Sequence, residues 1–377
     1  MRLLHIGCRQ FRNLSDVQLP LAPKLTVFLG NNGQGKTNLL EAVFFLTTQK
    51  TLRAQRLGEL IQKGAASTRV ALDVELGGAR RHVAVQLDAH SRQLSLDGKR
   101  VARLGEALGA LPTVAFTPDD VWAVKGSPLA RRLLLDRSAS SRFPAFHAEA
   151  RSFQRSLKSR NRLLKERRLE QLEVWSESLA RWGARVWLRR RRLLEEMRPR
   201  LQTVFGEIGA DWSELRLRYA PLGGANFFQN ASEEMLAQTF LQQLKDRQPH
   251  DVERGFTTEG PHTDDLEISL GELGARAFAS QGQTRAFALA WKVAEVDNLK
   301  ERLGTTPALL LDDVSSELDP QRNAFLMDFV AQSQIQVLLT TTSASLVQSA
   351  ASGDCLWYRV ENGSFTTMDC FRANLGA

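Results

Sequence analysis

The chain of 377 residues is poor in the residues that build metal centres or covalent frameworks. Its three cysteines, Cys8, Cys355 and Cys370, have no metal-ligand spacing, and any pairing leaves one over. That excludes a disulfide scaffold and predicts reduced thiols in a cytoplasmic protein. The six histidines are scattered and give no zinc cluster. No apolar stretch reaches the ~18–20 residues of a membrane helix. Even the run Leu39–Leu46 is broken by Glu41. The opening Met1-Arg2-Leu3-Leu4 reads as a strand rather than a signal peptide. Low-complexity segments, repeats and sustained heptads are missing as well, so no long coiled coil is expected.

Negative charge is the other shortage. Asp and Glu total 42 against 50 Lys and Arg, a net charge of +8, which favours a polyanionic partner. The excess sits in one segment: residues 151–200 carry 16 Lys or Arg and only 6 Glu. Within it Leu172, Trp175, Leu179, Trp182 and Val186 step by three and four, predicting a helix with a single apolar stripe. Trp175 and Trp182 on that stripe are expected in the core, not as base-stacking platforms. The remaining positions, Arg189–Arg192 among them, are read as a surface that contacts phosphates.

Two halves of one chemistry lie far apart. Residues 30–37 read Gly-Asn-Asn-Gly-Gln-Gly-Lys-Thr, between the apolar run Leu25–Leu29 and a helix-compatible stretch beginning at Leu39. That strand–loop–helix setting is what a phosphate-binding loop requires. Its glycines allow backbone amides to turn toward phosphate oxygens at a helix N-terminus. Gly30, Asn31, Asn32, Gly33, Gln34, Gly35, Lys36, Thr37 and Asn38 are therefore the candidate nucleotide-binding residues, with Lys36 at the β- and γ-phosphates and Thr37 on Mg²⁺. The second half is Ala308–Leu311, an apolar strand ending in Asp312 and Asp313. Phosphoryl transfer needs one acid on the metal and one to orient water, which suits Asp312 and Asp313 in that order. Residues 39–307 intervene, so a large insertion is expected. A third segment, Ser280-Gln281-Gly282-Gln283, precedes a helical pattern over 284–299 and reads as a helix cap or a second anion site.

Together these motifs resemble the ABC-type ATPase heads, and among them the RecF family of bacterial recombination proteins. The likeness runs the length of the chain. It includes Phe11-Arg12-Asn13, Phe116-Thr117-Pro118-Asp119-Asp120, Lys125-Gly126-Ser127-Pro128, Arg131-Arg132 with Asp136, Gly260-Pro261-His262, Ser316-Glu317-Leu318-Asp319 and Thr340-Thr341-Thr342. The resemblance implies an α/β fold: a P-loop ATPase core like the Rad50 and SMC heads, with an inserted, mainly helical second lobe. Lobe I is expected over 1–140, the basic inserted lobe over 141–255, and the rest of the core over 256–377. It also implies an ATP-dependent homodimer, in which Ser280, Gln281, Gly282 and Gln283 reach the nucleotide of the opposite subunit and Ser316–Asp319 line the seam. Slow, DNA-dependent hydrolysis of ATP with Mg²⁺ would act as a dimerisation switch. Implied partners are single-stranded, gapped or junction DNA, RecR and RecO, in loading RecA and in the SOS response. An ATPase subunit of a membrane transporter and a non-catalytic ATP-binding scaffold are the alternatives. Two departures stand out. The strand Gln336–Leu339 runs into threonines where many such ATPases carry a His that senses the γ-phosphate, and Thr263 stands where much of the family has Arg. Gln49 is a weak candidate for a further metal contact.

Overall fold

The computed structural model of the chain describes residues 1–52, 56–102, 111–209, 214–221, 231–347 and 355–368. Cys370 and the side chain of Ser316 lie outside the described residues. The chain folds as two compact units, Met1–Val121 with Arg285–Ala377, and Trp122–Thr284. The segments 122–140 and 256–284, expected with the ATPase core, therefore fall within the inserted unit. An ion pair between a buried arginine and a half-buried aspartate ties these two segments to each other. Arg131 makes a fork to Asp265, Nε to Oδ1 and a terminal nitrogen to Oδ2, each 2.7 Å.

The first unit holds two six-stranded sheets. One is antiparallel and ordered β2-β1-β4-β5-β6-β7, from β1 (Arg2–Phe11), β2 (Leu14–Pro20), β4 (Ser67–Leu76), β5 (Ala79–Asp88), β6 (Arg92–Leu96) and β7 (Lys99–Val101). Asp97-Gly98 joins β6 to β7 with positive φ at both residues, 49° and 78°. That is the two-residue hairpin which the Asp-Gly pair predicts. The other sheet is ordered β15-β14-β3-β13-β12-β8. Its members are β3 (Leu25–Leu29), β8 (Thr113–Phe116), β12 (Ala308–Asp312), β13 (Gln336–Thr341), β14 (Cys355–Glu361) and β15 (Ser364–Met368). From β14 to β8 all pairings are parallel, and β15 is antiparallel to β14. Strands β12 and β13 are buried along their whole length, as continuous apolar runs in a covered parallel sheet should be.

Helix α1 (Lys36–Thr48) packs on β1, β4 and β5 of one sheet and on β8, β12 and β13 of the other. This is why Leu39–Leu46 is buried without a polar side. The one charge in that run, Glu41, is fully buried and paired with Arg12, while its Oε1 accepts from the Leu52 amide at 3.0 Å.

The inserted unit combines helices with a three-stranded sheet, so it is not purely helical. The helices are α2 (Pro128–Arg142), α3 (Phe146–Glu166), α4 (Leu172–Ile208), α5 (Glu233–Asp246) and α6 (Gln248–Arg254). The sheet runs β11-β10-β9, from β9 (Leu215–Ala220), β10 (Asp265–Leu270) and β11 (Leu273–Gly274). Ser127 caps α2, its Oγ accepting from the Ala130 amide, with Pro128 in the first turn. Helix α4 is the longest of the described helices and packs on both α3 and α5. Helix α7 (Gln281–Leu303) follows the insertion, and α8 (Pro320–Gln332) follows the acidic strand.

Candidate nucleotide site

Parallel strand order turns the distance in sequence into proximity. Strand β13 lies between β3 and β12, with Asp312 opposite Thr340, Thr340 opposite Phe28 and Thr341 opposite Leu29. The C-terminal ends of β3 and β12 thus open onto the same edge, where ligands bind in open α/β sheets.

At the end of β3 the loop is shaped by its glycines. Gly33 and Gly35 adopt φ of 80° and 109°, and Gly35 starts α1 in the left-handed region. A Cβ on Gly30 would lie 2.3 Å from the Val360 carbonyl oxygen, so the close approach of β14 admits glycine alone. The β14–β15 hairpin also grips the loop: the Asn362 amide donates to Gln34 Oε1 at 2.7 Å and the Gly363 amide to the Gln34 carbonyl at 2.8 Å. On the other side Asn38 Nδ2 donates to Asn13 Oδ1 at 2.7 Å. Asn13 is a support from the Phe11-Arg12-Asn13 motif, and Asn362 and Gly363 are supports that no local motif reveals. The Lys36 ammonium folds back over the loop and donates to the carbonyls of Gly30 at 2.6 Å and Asn31 at 2.9 Å. Burial lowers its pKa, while the nearby carboxylates of Asp313 and Asp312 pull the other way.

At the end of β12 the two acids diverge in role. Asp312 Oδ1 accepts from Thr37 Oγ1 at 2.6 Å and from Thr340 Oγ1 at 3.0 Å. The Thr340 hydroxyl also accepts from the Asp313 amide at 2.9 Å. Thr340, fully buried, therefore ties the two aspartates together from the neighbouring strand. Its only sequence signal is the Thr run at the end of β13, in place of the sensor His. Asp313 itself sits at φ 51°, a left-handed conformation uncommon for a residue with a side chain.

Asn32, Gly33, Gly35, Lys36, Thr37, Asn38, Pro118, Asp312 and Asp313 line a cleft of about 280 Å³. Gly30, Asn31 and Gln34 do not line it; they build its frame through the contacts above. The hydroxyl of Thr37 beside the carboxylate of Asp312 is a hard oxygen pair suited to Mg²⁺, which takes one or two carboxylates together with substrate phosphates. Among the described residues no group of three or more His, Cys, Asp or Glu gathers to hold a metal by itself, and Mg²⁺ of this kind needs none.

The Ser280–Gln283 segment belongs to the inserted unit and is a reciprocal helix cap. Ser280 Oγ accepts from the Gln283 amide at 3.1 Å, and Gln283 Oε1 accepts from the Ser280 amide at 2.8 Å. Ser280 and Gln281 are exposed; Gly282 and Gln283 are half-buried. Gln49 is a helix terminus: it ends α1 at φ 60°, and its Nε2 donates back to the Leu46 carbonyl at 2.8 Å. Thr263 Oγ1 donates to the Gly260 carbonyl at 2.8 Å.

The arginine run on α4, expected to face phosphates, is engaged with carboxylates of its own unit. Arg189 forks onto Glu149 and Arg190 onto Asp136, while Arg191 pairs with Glu195 and Arg192 with Glu196. Arg190 is buried, and it also donates to Tyr219 Oη at 2.8 Å and the Pro261 carbonyl at 2.7 Å. These cations neutralise acids inside the unit; a run of like charge in sequence is split by the helical turn among different partners. The apolar stripe is partly as expected, with Leu172, Leu179 and Val186 buried and Trp175 and Trp182 half-buried. The buried indole of α4 is Trp187, off the stripe, whose Nε1 donates to Asp264 Oδ2 at 2.5 Å.

A phosphate loop and an acidic strand end, brought together across a parallel sheet that is split by an insertion, define an ABC-type P-loop ATPase head without a long coiled coil. A family model described as the RecF/RecN/SMC N-terminal domain matches residues 2–363. The DNA replication and repair protein RecF of Myxococcus xanthus is 49% identical over 366 residues, 96% of each chain. Its counterpart in Anaeromyxobacter dehalogenans strain 2CP-C is 47% identical, covering 96% of this chain and 98% of that one. A solved structure of the recombination mediator protein RecF with ATP, in the RecFOR pathway, superposes with a TM-score of 0.86 at 28% identity over 98% of both chains. The chain belongs to the RecF family. An Smc head bound to the C-winged helix domain of ScpA shares the fold, with a TM-score of 0.57 at 17% identity.

No described helix is long and apolar enough to cross a membrane.

Proposed function

We propose that this protein is an ATP-binding protein of DNA repair, recombination and replication. In this reading it closes on DNA as an ATP-bridged homodimer and opens on slow hydrolysis. The observation that carries the reading is the cleft in which Lys36, Thr37, Asp312 and Asp313 converge from two ends of the chain. Family membership and the ATP-bound relative support the nucleotide and the process.

The loop amides around Gly33 and Gly35, at the N-terminus of α1, bind the phosphates, and the preformed frame avoids ordering cost at that step. Lys36 leaves its two carbonyl acceptors to meet the β- and γ-oxygens. Thr37 and Asp312 hold Mg²⁺, which when bound neutralises developing charge on the phosphates. Asp313, fixed through its amide to Thr340, orients the attacking water and receives its proton. The Ser280–Gln283 cap presents a helix N-terminus and an exposed hydroxyl, and this is the surface proposed to close over the γ-phosphate of a second subunit. DNA with single-strand gaps or junctions is the proposed substrate, RecR and RecO the proposed partners in loading RecA and in SOS induction, and the cytoplasm the proposed location.

The test is fluorescence anisotropy with a labelled gapped duplex at fixed salt and Mg²⁺, with and without ATP. ATP is expected to tighten binding by the wild type and to leave Asp312→Asn unaffected. Failure of the wild type to bind DNA in any nucleotide state, at low salt as well, would overturn the reading and reopen that of a transporter ATPase.

A further inference from the structure

We infer that the outer face of α3, carrying Arg151, Arg155, Lys158, Arg162 and Lys165, is the surface that tracks the phosphodiester backbone of DNA. This inference rests on the DNA-binding reading above and supplies the contact surface that Arg189–Arg192 do not.

The five residues are spaced by four, three, four and three, which keeps them within one narrow stripe of the helix. All five are exposed. The opposite face is the one that packs inward, through Phe146, Phe153, Leu157, Arg160, Leu163 and Leu164. Helix α3 thus has a clean division between an anchoring side and a charged side.

The stripe differs from the rest of the basic segment in gathering five exposed cations on one face, four of them without a carboxylate partner among the described residues. Arg160 is buried against Asp251 at 2.7 Å, and Arg185, Arg189 and Arg190 each meet a carboxylate from another element of the same unit, while Arg191 and Arg192 make one-turn bridges to Glu195 and Glu196. Among the described residues Arg151, Arg155, Lys158 and Lys165 have no carboxylate partner. Arg162 pairs with Glu166 across one turn, in an exposed bridge of the kind that contributes little and exchanges readily. The other acid on α3, Glu149, is buried and held by Arg189. Among the described residues Glu166 is the one acid that offsets self-repulsion along the stripe. A polyanion relieves it.

The geometry suits a duplex or its junction arm. The fourteen rises from Arg151 to Lys165 span about 21 Å of helix axis, which matches about six base-pair steps at the ~3.4 Å rise per phosphate of one strand. Long flexible side chains at roughly 5–6 Å intervals place point charges near successive phosphates without any base contact. The stripe therefore supplies affinity and no sequence preference.

The experiment compares the wild type with Arg151→Gln/Arg155→Gln/Lys158→Gln on the labelled gapped duplex, by anisotropy from 50 to 200 mM salt with ATP and Mg²⁺. Arg181→Gln/Arg198→Gln, which removes two exposed cations of α4 that also lack a carboxylate partner among the described residues, is the control. The triple variant should lose at least about tenfold in affinity at ~0.1 M salt, and the slope of log K against log salt should flatten by about 2.7, or ~0.9 per lost contact. Its ATP affinity and thermal midpoint should match the wild type, since all three side chains are exposed. Equal affinity and slope for wild type and triple variant would overturn the inference. A control pair that loses as much per charge as the triple would overturn it too, by showing a diffuse field rather than a surface. Absence of DNA binding by the wild type is a different result, and removes the functional reading instead.

Discussion

At the scale of single residues, Lys36 carries the clearest consequence. Burial beside two backbone carbonyls depresses its pKa, and Asp313 and Asp312 only partly compensate. With a folded pKa below the unfolded one, the unfolded chain binds more protons in the window between them. There the stability of the unliganded protein rises with pH. Phosphate oxygens favour the ammonium, so binding of a nucleotide raises the same pKa and draws in a proton. ATP affinity is therefore expected to fall as pH climbs toward that window, with proton uptake measurable by calorimetry in buffers of different ionisation enthalpy. Lys36→Arg should abolish the uptake, because arginine stays charged throughout. Nucleotide binding with no proton uptake up to about pH 10, where an unshifted lysine begins to titrate, would contradict this account of Lys36. The loop, Lys36 and both aspartates were legible in sequence because the chemistry restricts residue types at fixed spacing. Thr340 was not, since it reaches Asp312 from another strand and only the parallel register brings the two together.

At the scale of elements, the family landmarks acquire physical meaning. Phe11 is fully buried, Arg12 neutralises the buried Glu41, and Asn13 braces the loop through Asn38. Asp120 Oδ2 accepts from the Thr117 amide at 2.8 Å. Arg131 also donates to the carbonyls of Val124 and Gly126, and Arg132 to that of Asp264. Most of these motifs are frames rather than ligands. Local pattern located β3, β12 and β13, whose apolar runs are short and sharply bounded. It missed β9 and β10, although Leu215 and Leu217, and Leu266, Ile268 and Leu270, alternate with polar residues as strands should. The basic, helix-rich surroundings hid that two-residue period. Ser280 is the element-scale test, because it is both a cap and a proposed ligand. Ser280→Ala should cost about 1 kcal/mol of stability through the lost cap. Ser280→Asp retains a good cap and adds a negative charge, so it should keep stability within a few tenths of a kcal/mol and yet lose ATP-driven dimerisation. Dimerisation of Ser280→Asp equal to that of the wild type, measured by light scattering, would leave the segment a cap and nothing more.

At the scale of the whole molecule, one nucleotide core is assembled from both ends of the chain, with residues 122–284 folding as their own unit between them. Proximity of Thr37 and Asp312 is thus bought by the parallel sheet and not by sequence, and the length of the insertion has little bearing on it. The net charge of +8 and its concentration in residues 151–200 were legible at once, but the face that carries it was not. Counting cations along the chain pointed to Arg189–Arg192, where the carboxylates that neutralise them, such as Glu149 and Asp136, come from other helices. A continuous stripe of exposed cations lies instead on α3. The central claim concerns association: the cleft holds ATP, and the bound nucleotide joins two copies. Sedimentation velocity of Asp313→Asn, which should bind ATP without turning it over, tests this most directly. In Mg²⁺ and ATP the variant is expected to sediment as a dimer, and without nucleotide, or with Lys36→Ala added, as a monomer. A monomer under saturating ATP, with nucleotide binding confirmed in the same sample, would contradict the account.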